Sequence, residues 1–148
     1  MALPDFDSSV GHSFGLEVDG VMIKQINEVS GLKFEQDVIE LKTNMSADGK
    51  YMIKKLPGRP KAGEITVTRG LTDSNSFEKW MKDARFGKMS DARKTAAVII
   101  FDYEGSAIKR YNLVGAWLKS LEIGSLKAGD TSVLTEKAVI TYEELTVE

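Results

Sequence analysis

A mainly β domain, a β-sandwich or barrel-like subunit with one packed α-helix, is the fold class that this sequence predicts, on three observations. Apolar residues recur with period two along most of the chain, the spacing of half-buried strands. Turn signals such as Asp19-Gly20 and Glu104-Gly105-Ser106 separate the alternating runs. A single segment, residues 75–86, carries helical spacing instead.

The elements follow in order. "SFGLEVDG" sets Phe14, Leu16 and Val18 on one face and turns at Asp19-Gly20, and "VMIKQINEVSGL" returns as a second strand. "KFEQDVIEL" reads as a third, less regular one. Residues 42–63 mix Gly, Pro and Lys with little period, which predicts a long loop with at most a short hairpin. "EITVTRG" alternates Ile65 and Val67 against Glu64, Thr66 and Thr68. In the helix, Asn75 and Glu78 have capping-box spacing. Phe77, Trp80, Met81 and Ala84 then form one apolar stripe, and Gly87 supplies the stop. "TAAVIIFDYEGSAIKRYNLVGAWL" predicts a hairpin whose first arm, Val98 to Phe101, is covered on both sides. A short strand in "KSLEIGSLKAGDTS" and a closing strand in "VLTEKAVITYEELTVE" complete the count at seven or eight.

The 148 residues fit one domain, with residues 1–11 as a flexible N-terminal segment. A net charge of −2 gives no electrostatic reason for binding nucleic acid or an anionic membrane. No apolar run approaches the ~20 residues of a membrane span, and the N-terminus lacks the regions of a secretory signal, so synthesis and assembly in the cytoplasm are expected. The chain has no cysteine and one histidine, His12, which removes thiolate catalysis and leaves no nucleophile–base set or metal cluster. Neither an enzyme activity nor a cofactor is expected. Gly58 and Gly63 do have phosphate-loop spacing, but Glu64 and Ile65 follow where Lys and Ser or Thr are needed. A carboxylate there repels phosphate, and the segment enters a strand rather than a helix.

Two features call for partners. Lys50, Lys54, Lys55, Arg59 and Lys61 share a segment with Tyr51, Met52, Ile53 and Leu56. Burying each such apolar side chain is worth roughly 1.5–3 kcal/mol, which favours docking on another chain over solvation. Acids near the chain ends, Asp5 and Asp7 together with Glu143, Glu144 and Glu148, are the expected partners of its charges. The second feature is Glu136, which falls on the apolar face with Leu134, Ala138 and Ile140 and therefore needs pairing, by Arg69 or across an interface.

"GHSFGLEVDGVMIKQINEVSGL", "LPGRPKAGEITVTRGLTDSNSFEKWMKDA", "VIIFDYEGSAIKRYNLVGAW" and "TEKAVITYEEL" occur in this order. Together they resemble the tail tube protein family of contractile phages and contractile injection systems, over nearly the whole chain from His12 to Leu145. Leu118 departs from the family's pattern, in which proline commonly follows the Trp.

The resemblance implies hexameric rings stacked into a hollow tube. A contracting sheath would drive it through a membrane, with baseplate and tube-terminating proteins at its ends and effector cargo inside. Each subunit would give four strands to a ring-wide barrel. Six such sets at ~4.8 Å spacing and ~40° tilt close at a backbone diameter of roughly 45–50 Å. Under this reading Lys50, Tyr51, Met52, Ile53, Lys54, Lys55, Arg59, Asp5, Asp7 and Glu136 are expected at subunit interfaces. Glu64, Thr66, Thr68, Thr135, Lys137 and Thr141 are expected to face the lumen, and Glu78, Lys79, Lys82 and Lys88 the sheath. Alternatives are a secreted effector-carrying ring of the haemolysin-coregulated type and a small β-barrel ligand-binding module.

Overall fold

The alternation that begins at Phe14 is realised as strands. The computed structural model describes residues 4, 7, 11, 13–23, 26–44, 49–72, 75–129 and 131–148. In chain order the elements are β1 (Phe14–Val18), β2 (Val21–Ile23), β3 (Ile26–Ser30), β4 (Glu35–Asn44), β5 (Tyr51–Lys61) and β6 (Glu64–Gly70). They continue with α1 (Ser76–Arg85), α2 (Met89–Ala92), β7 (Lys94–Phe101), β8 (Ala107–Ile123), β9 (Thr135–Thr141) and β10 (Glu144–Val147). Of residues 1–11, expected to be flexible, only Pro4, Asp7 and Gly11 are among those described; Asp5 and His12 lie outside them.

Eight strands form one antiparallel sheet in the order β2-β1-β7-β8-β9-β6-β3, with β10 also on β8. The 17 residues of β8 hold it together. Its first part pairs with β7, while Trp117–Ile123 pairs with β9. The separate short strand expected after Trp117 is thus the continuation of β8. Between the two parts Gly115 adopts φ +66, and a Cβ there would fall 2.7 Å from the Glu143 carboxylate. That bend lets one strand serve both layers of a sandwich.

The layers bury one core. Leu16, Val18, Ala96, Val98 and Leu113 come from the β1–β7–β8 layer; Ile65, Val67, Leu118, Ala138 and Ile140 come from the β3–β6–β9–β8 layer. Phe77 and Trp80 of α1 join the same cluster, with Met81 and Ala84 packed against it, as the apolar stripe requires. Trp80 Nε1 donates to the Ala92 carbonyl, tying α1 to α2. The capping box is not formed: Asn75 makes no side-chain cap, and its contribution is the carbonyl that accepts from Lys79 N–H at 2.9 Å. In β7 both faces are covered at Val98 and Ile99, as the run of apolar residues predicts.

The segment expected to be a loop is a strand. β5 pairs with β4 along its length, from Asn44↔Tyr51 to Glu35↔Lys61. The register shifts between Gln36 and Val38, opposite Pro57–Pro60. A Cβ on Gly58 would lie 2.9 Å from the Asp37 backbone oxygen, so the glycine of the false phosphate loop serves a β-bulge. Pro57 and Pro60 are tolerated because a two-stranded ribbon is all edge.

Candidate assembly surfaces

The β4–β5 ribbon carries large apolar side chains on both faces. Paired residues share a face, so Ile39 with Leu56, Leu41 with Lys54, and Thr43 with Met52 line one side. Val38 with Pro57, Glu40 with Lys55, Lys42 with Ile53, and Asn44 with Tyr51 line the other. Val38, Ile39, Leu41, Tyr51, Met52, Ile53 and Leu56 are all 36–63% exposed. A monomer rarely leaves so much contiguous apolar surface in water.

The charges of this ribbon find part of their balance within it. Lys61 Nζ lies 3.3 Å from Asp37 Oδ1, and Lys55 sits opposite Glu40. The acids expected as partners from the chain ends have other neighbours. Asp7 accepts a hydrogen bond from the Tyr103 hydroxyl at 3.4 Å, Glu143 pairs with Arg93 at 3.5 Å and Glu148 with Arg110 at 3.8 Å. Lys50, Lys54 and Arg59 are exposed.

Glu64, Thr66, Thr68, Thr135, Lys137 and Thr141 lie on one face, as the alternation requires. Their cross-strand pairs, Glu64↔Thr141 and Thr68↔Lys137, put them together, while Ile65, Val67, Ala138 and Ile140 point into the core. The same face continues onto β3 through Glu28↔Thr68 and Ser30↔Thr66, and onto β8 through Trp117↔Thr141 and Glu122↔Lys137. Its charges are compensated locally: Lys119 Nζ meets Glu64 Oε2 at 3.0 Å, and Glu122 sits opposite Lys137. On the outside of α1 and at the start of α2, Glu78, Lys79, Lys82 and Lys88 are exposed.

Glu136 is the correction among the interface residues. It is fully buried, hydrogen-bonded to Arg69 directly across the β9–β6 pair. The Arg69 guanidinium also sits 4.3 Å from the centre of the Phe77 ring, a cation–π contact that ties α1 to the sheet. A side chain with no exposed surface cannot meet a neighbouring subunit, so its role is internal to this chain.

A polar-faced sheet, a ribbon that its own chain leaves uncovered and an internally locked helix define a subunit built to be completed by other chains. The family model described as T4-like virus tail tube protein gp19 matches residues 10–146, and the chain belongs to that family. No curated protein sequence gives a significant match to it. Among solved structures, a chain of the PVC sheath–tube complex of an extracellular contractile injection system, in the extended state, superposes with a TM-score of 0.80. It is 18% identical, covering 97% of this chain and 93% of that one. A chain of the anti-feeding prophage tube-terminating cap gives 0.79 at 17% identity, covering 100% and 95%. Hcp1 from Flavobacterium johnsoniae gives 0.54 at 16% identity, covering 91% and 94%. At these identities the likeness is one of fold. What the sequence did not single out is the pairing of the ribbon with itself, although the bulge glycine between two prolines was a signal for it.

Proposed function

We propose that this protein is the inner-tube subunit of a contractile, phage-tail-like injection machine. Six copies close a ring and rings stack into a hollow tube. A sheath surrounds it, baseplate and tube-terminating proteins cap it, and effector cargo occupies its lumen. The tube is assembled in the cytoplasm as part of a particle that acts outside the cell. The role is structural, with no dedicated site for nucleic acid, cofactor or metal.

The observation that carries this reading is the β4–β5 ribbon. Seven large apolar side chains on two faces demand cover that the subunit does not supply. In the tube the cover is neighbouring copies, within the ring and in the next ring, through Tyr51, Met52 and Ile53 with Lys50, Lys54, Lys55 and Arg59 around them. Asp7 and Asp5 are further interface candidates. The face of Glu64, Thr66, Thr68, Thr135, Lys137 and Thr141 lines the lumen, and Glu78, Lys79, Lys82 and Lys88 meet the sheath. The likeness to chains of a sheath–tube complex and a tube cap supports the same assignment.

The likeness to Hcp1 favours a second reading, a ring that carries effectors without a sheath. Sedimentation of the purified protein over a concentration series separates the two. The tube reading expects hexamers that grow into large multiples, and the carrier reading expects hexamers that stay single.

A further inference from the structure

The two sheet edges that meet between adjacent copies are legible in the strand order. Within the layer β3–β6–β9–β8, β3 pairs with β6 on one side only, and Trp117–Ile123 of β8 pairs with β9 on one side only. These strand edges carry backbone donors and acceptors that no described strand satisfies, an arrangement that invites pairing with another chain.

We propose that β3 of one copy pairs with the Trp117–Ile123 part of β8 in the next, antiparallel, to form the seam of the ring; this rests on the ring proposed above. The direction follows from counting. Neighbours in the layer are antiparallel throughout, so with four strands β3 runs opposite to β8. Rotation about a ring axis preserves each strand's sense, and β3 therefore meets the next β8 antiparallel, like every other pair in the layer. A two-fold contact would instead bring β3 to β3 and leave both β8 edges open.

The side chains at the two edges match in chemistry and in facing. Four residues form each row across the layer. Val29–Val67–Ala138–Leu121 and Ile26–Arg69–Glu136–Ile123 lie on the core side. Glu28–Thr68–Lys137–Glu122 and Ser30–Thr66–Val139–Ser120 lie on the opposite side. The interiors of the core-side rows are buried, whereas their ends are not. Ile26, Val29 and Leu121 are half-buried and Ile123 is 44% exposed. Joining β3 to β8 covers these four apolar ends and continues the polar face without a break. A stagger between copies, which closure of a barrel requires, moves Glu28 away from Glu122 of the neighbour and avoids a like-charge contact.

The absence of cysteine makes the seam directly testable. Glu28→Cys and Ser120→Cys, combined in one chain, place one thiol near each edge on the polar face. A bis-maleimide with a reach of about 10 Å spans neighbouring strands, including a stagger of one or two residues. It does not span the three spacings between the two sites within one copy, about 14 Å, or the four between equivalent sites of adjacent copies, about 19 Å. The expected result is a ladder of covalent species ending at six chains for the double variant, and uncross-linked monomer for each single variant. Cross-linked dimers from a single variant overturn the proposal, because like edges then meet. A double variant that sediments as rings yet does not cross-link overturns the seam and leaves the ring. Failure to form rings at any concentration, in the parent as well, overturns both.

Discussion

Arg69 and Glu136 face each other across β6 and β9 as a hydrogen-bonded ion pair with almost no exposed surface, under the ring of Phe77. Among the described residues, Arg69 Nη2 and Glu136 Oε2 have no hydrogen-bond partner. Such a pair gives up much of its attraction to desolvation, while either partner alone is a buried, uncompensated charge. Glu136→Ala is expected to destabilise the subunit by about 3–5 kcal/mol, whereas Arg69→Met with Glu136→Leu is expected to be neutral or stabilising. Urea denaturation at one fixed protein concentration measures both, since assembly adds to apparent stability. Equal losses in the single and double variants would contradict the account of this pair.

The helix gives the second prediction. Trp80 is 3% exposed and its indole N–H is satisfied by Ala92, so Trp80→Ala should cost about 3–5 kcal/mol. Lys79→Glu with Lys82→Glu should leave the denaturation midpoint nearly unchanged and weaken co-sedimentation with sheath subunits. An unfolded charge variant beside a tolerated Trp80→Ala would show the helix facing the other way.

The turn between β7 and β8 gives a pH dependence. The Asp102 carboxylate accepts backbone N–H bonds from Ser106 and Glu104, both at 2.9 Å, and these hold its pKa below the usual 3.8. The folded state then releases this proton more readily than the unfolded chain does. The stabilisation is complete above 3.8 and is lost as pH falls through the lowered folded value. Asp102→Asn keeps an acceptor but cannot titrate. Its stability, followed by denaturation from about pH 5 downward, should fall less steeply than the parent's. Identical acid limbs would remove Asp102 from the explanation.

The ribbon gives a prediction in two halves. Leu41→Ser with Met52→Ser strips two apolar side chains from one face while keeping the strand register. It should leave the subunit folded and abolish ring stacking. Lys54→Glu reverses a charge whose cross-strand neighbour is Leu41, and should weaken stacking in a salt-dependent way, because exposed ion pairs are worth only ~0–1 kcal/mol each. Circular dichroism checks folding and sedimentation checks stacking. Unaltered stacking in both variants would mean that the ribbon is not an interface.

Where this chain has a core of its own, the fold was legible in the sequence. Ile65, Val67, Ala138 and Ile140 alternate with polar residues because one face of their layer is buried and the other is not. Glu136 announced its pairing because a lone acid on that apolar face has to be satisfied, and Arg69 is its cross-strand neighbour. The ribbon was not legible as a strand pair. Neither of its faces packs on this chain, so Tyr51–Lys61 shows no apolar–polar period, and Pro57, Gly58 and Pro60 read as a loop. The apolar content still marked the segment as a surface in need of a partner. The run through Trp117 was divided wrongly because the bend at Gly115 looks like an end, whereas the chain continues as one strand into the second layer.

Electron microscopy of the purified protein at rising concentration tests the central claim most directly, that this subunit is complete only among copies of itself. The account predicts six-fold rings with an open centre at low concentration and hollow tubes of stacked rings at high concentration. A monodisperse, compact monomer from micromolar to millimolar concentration would contradict it.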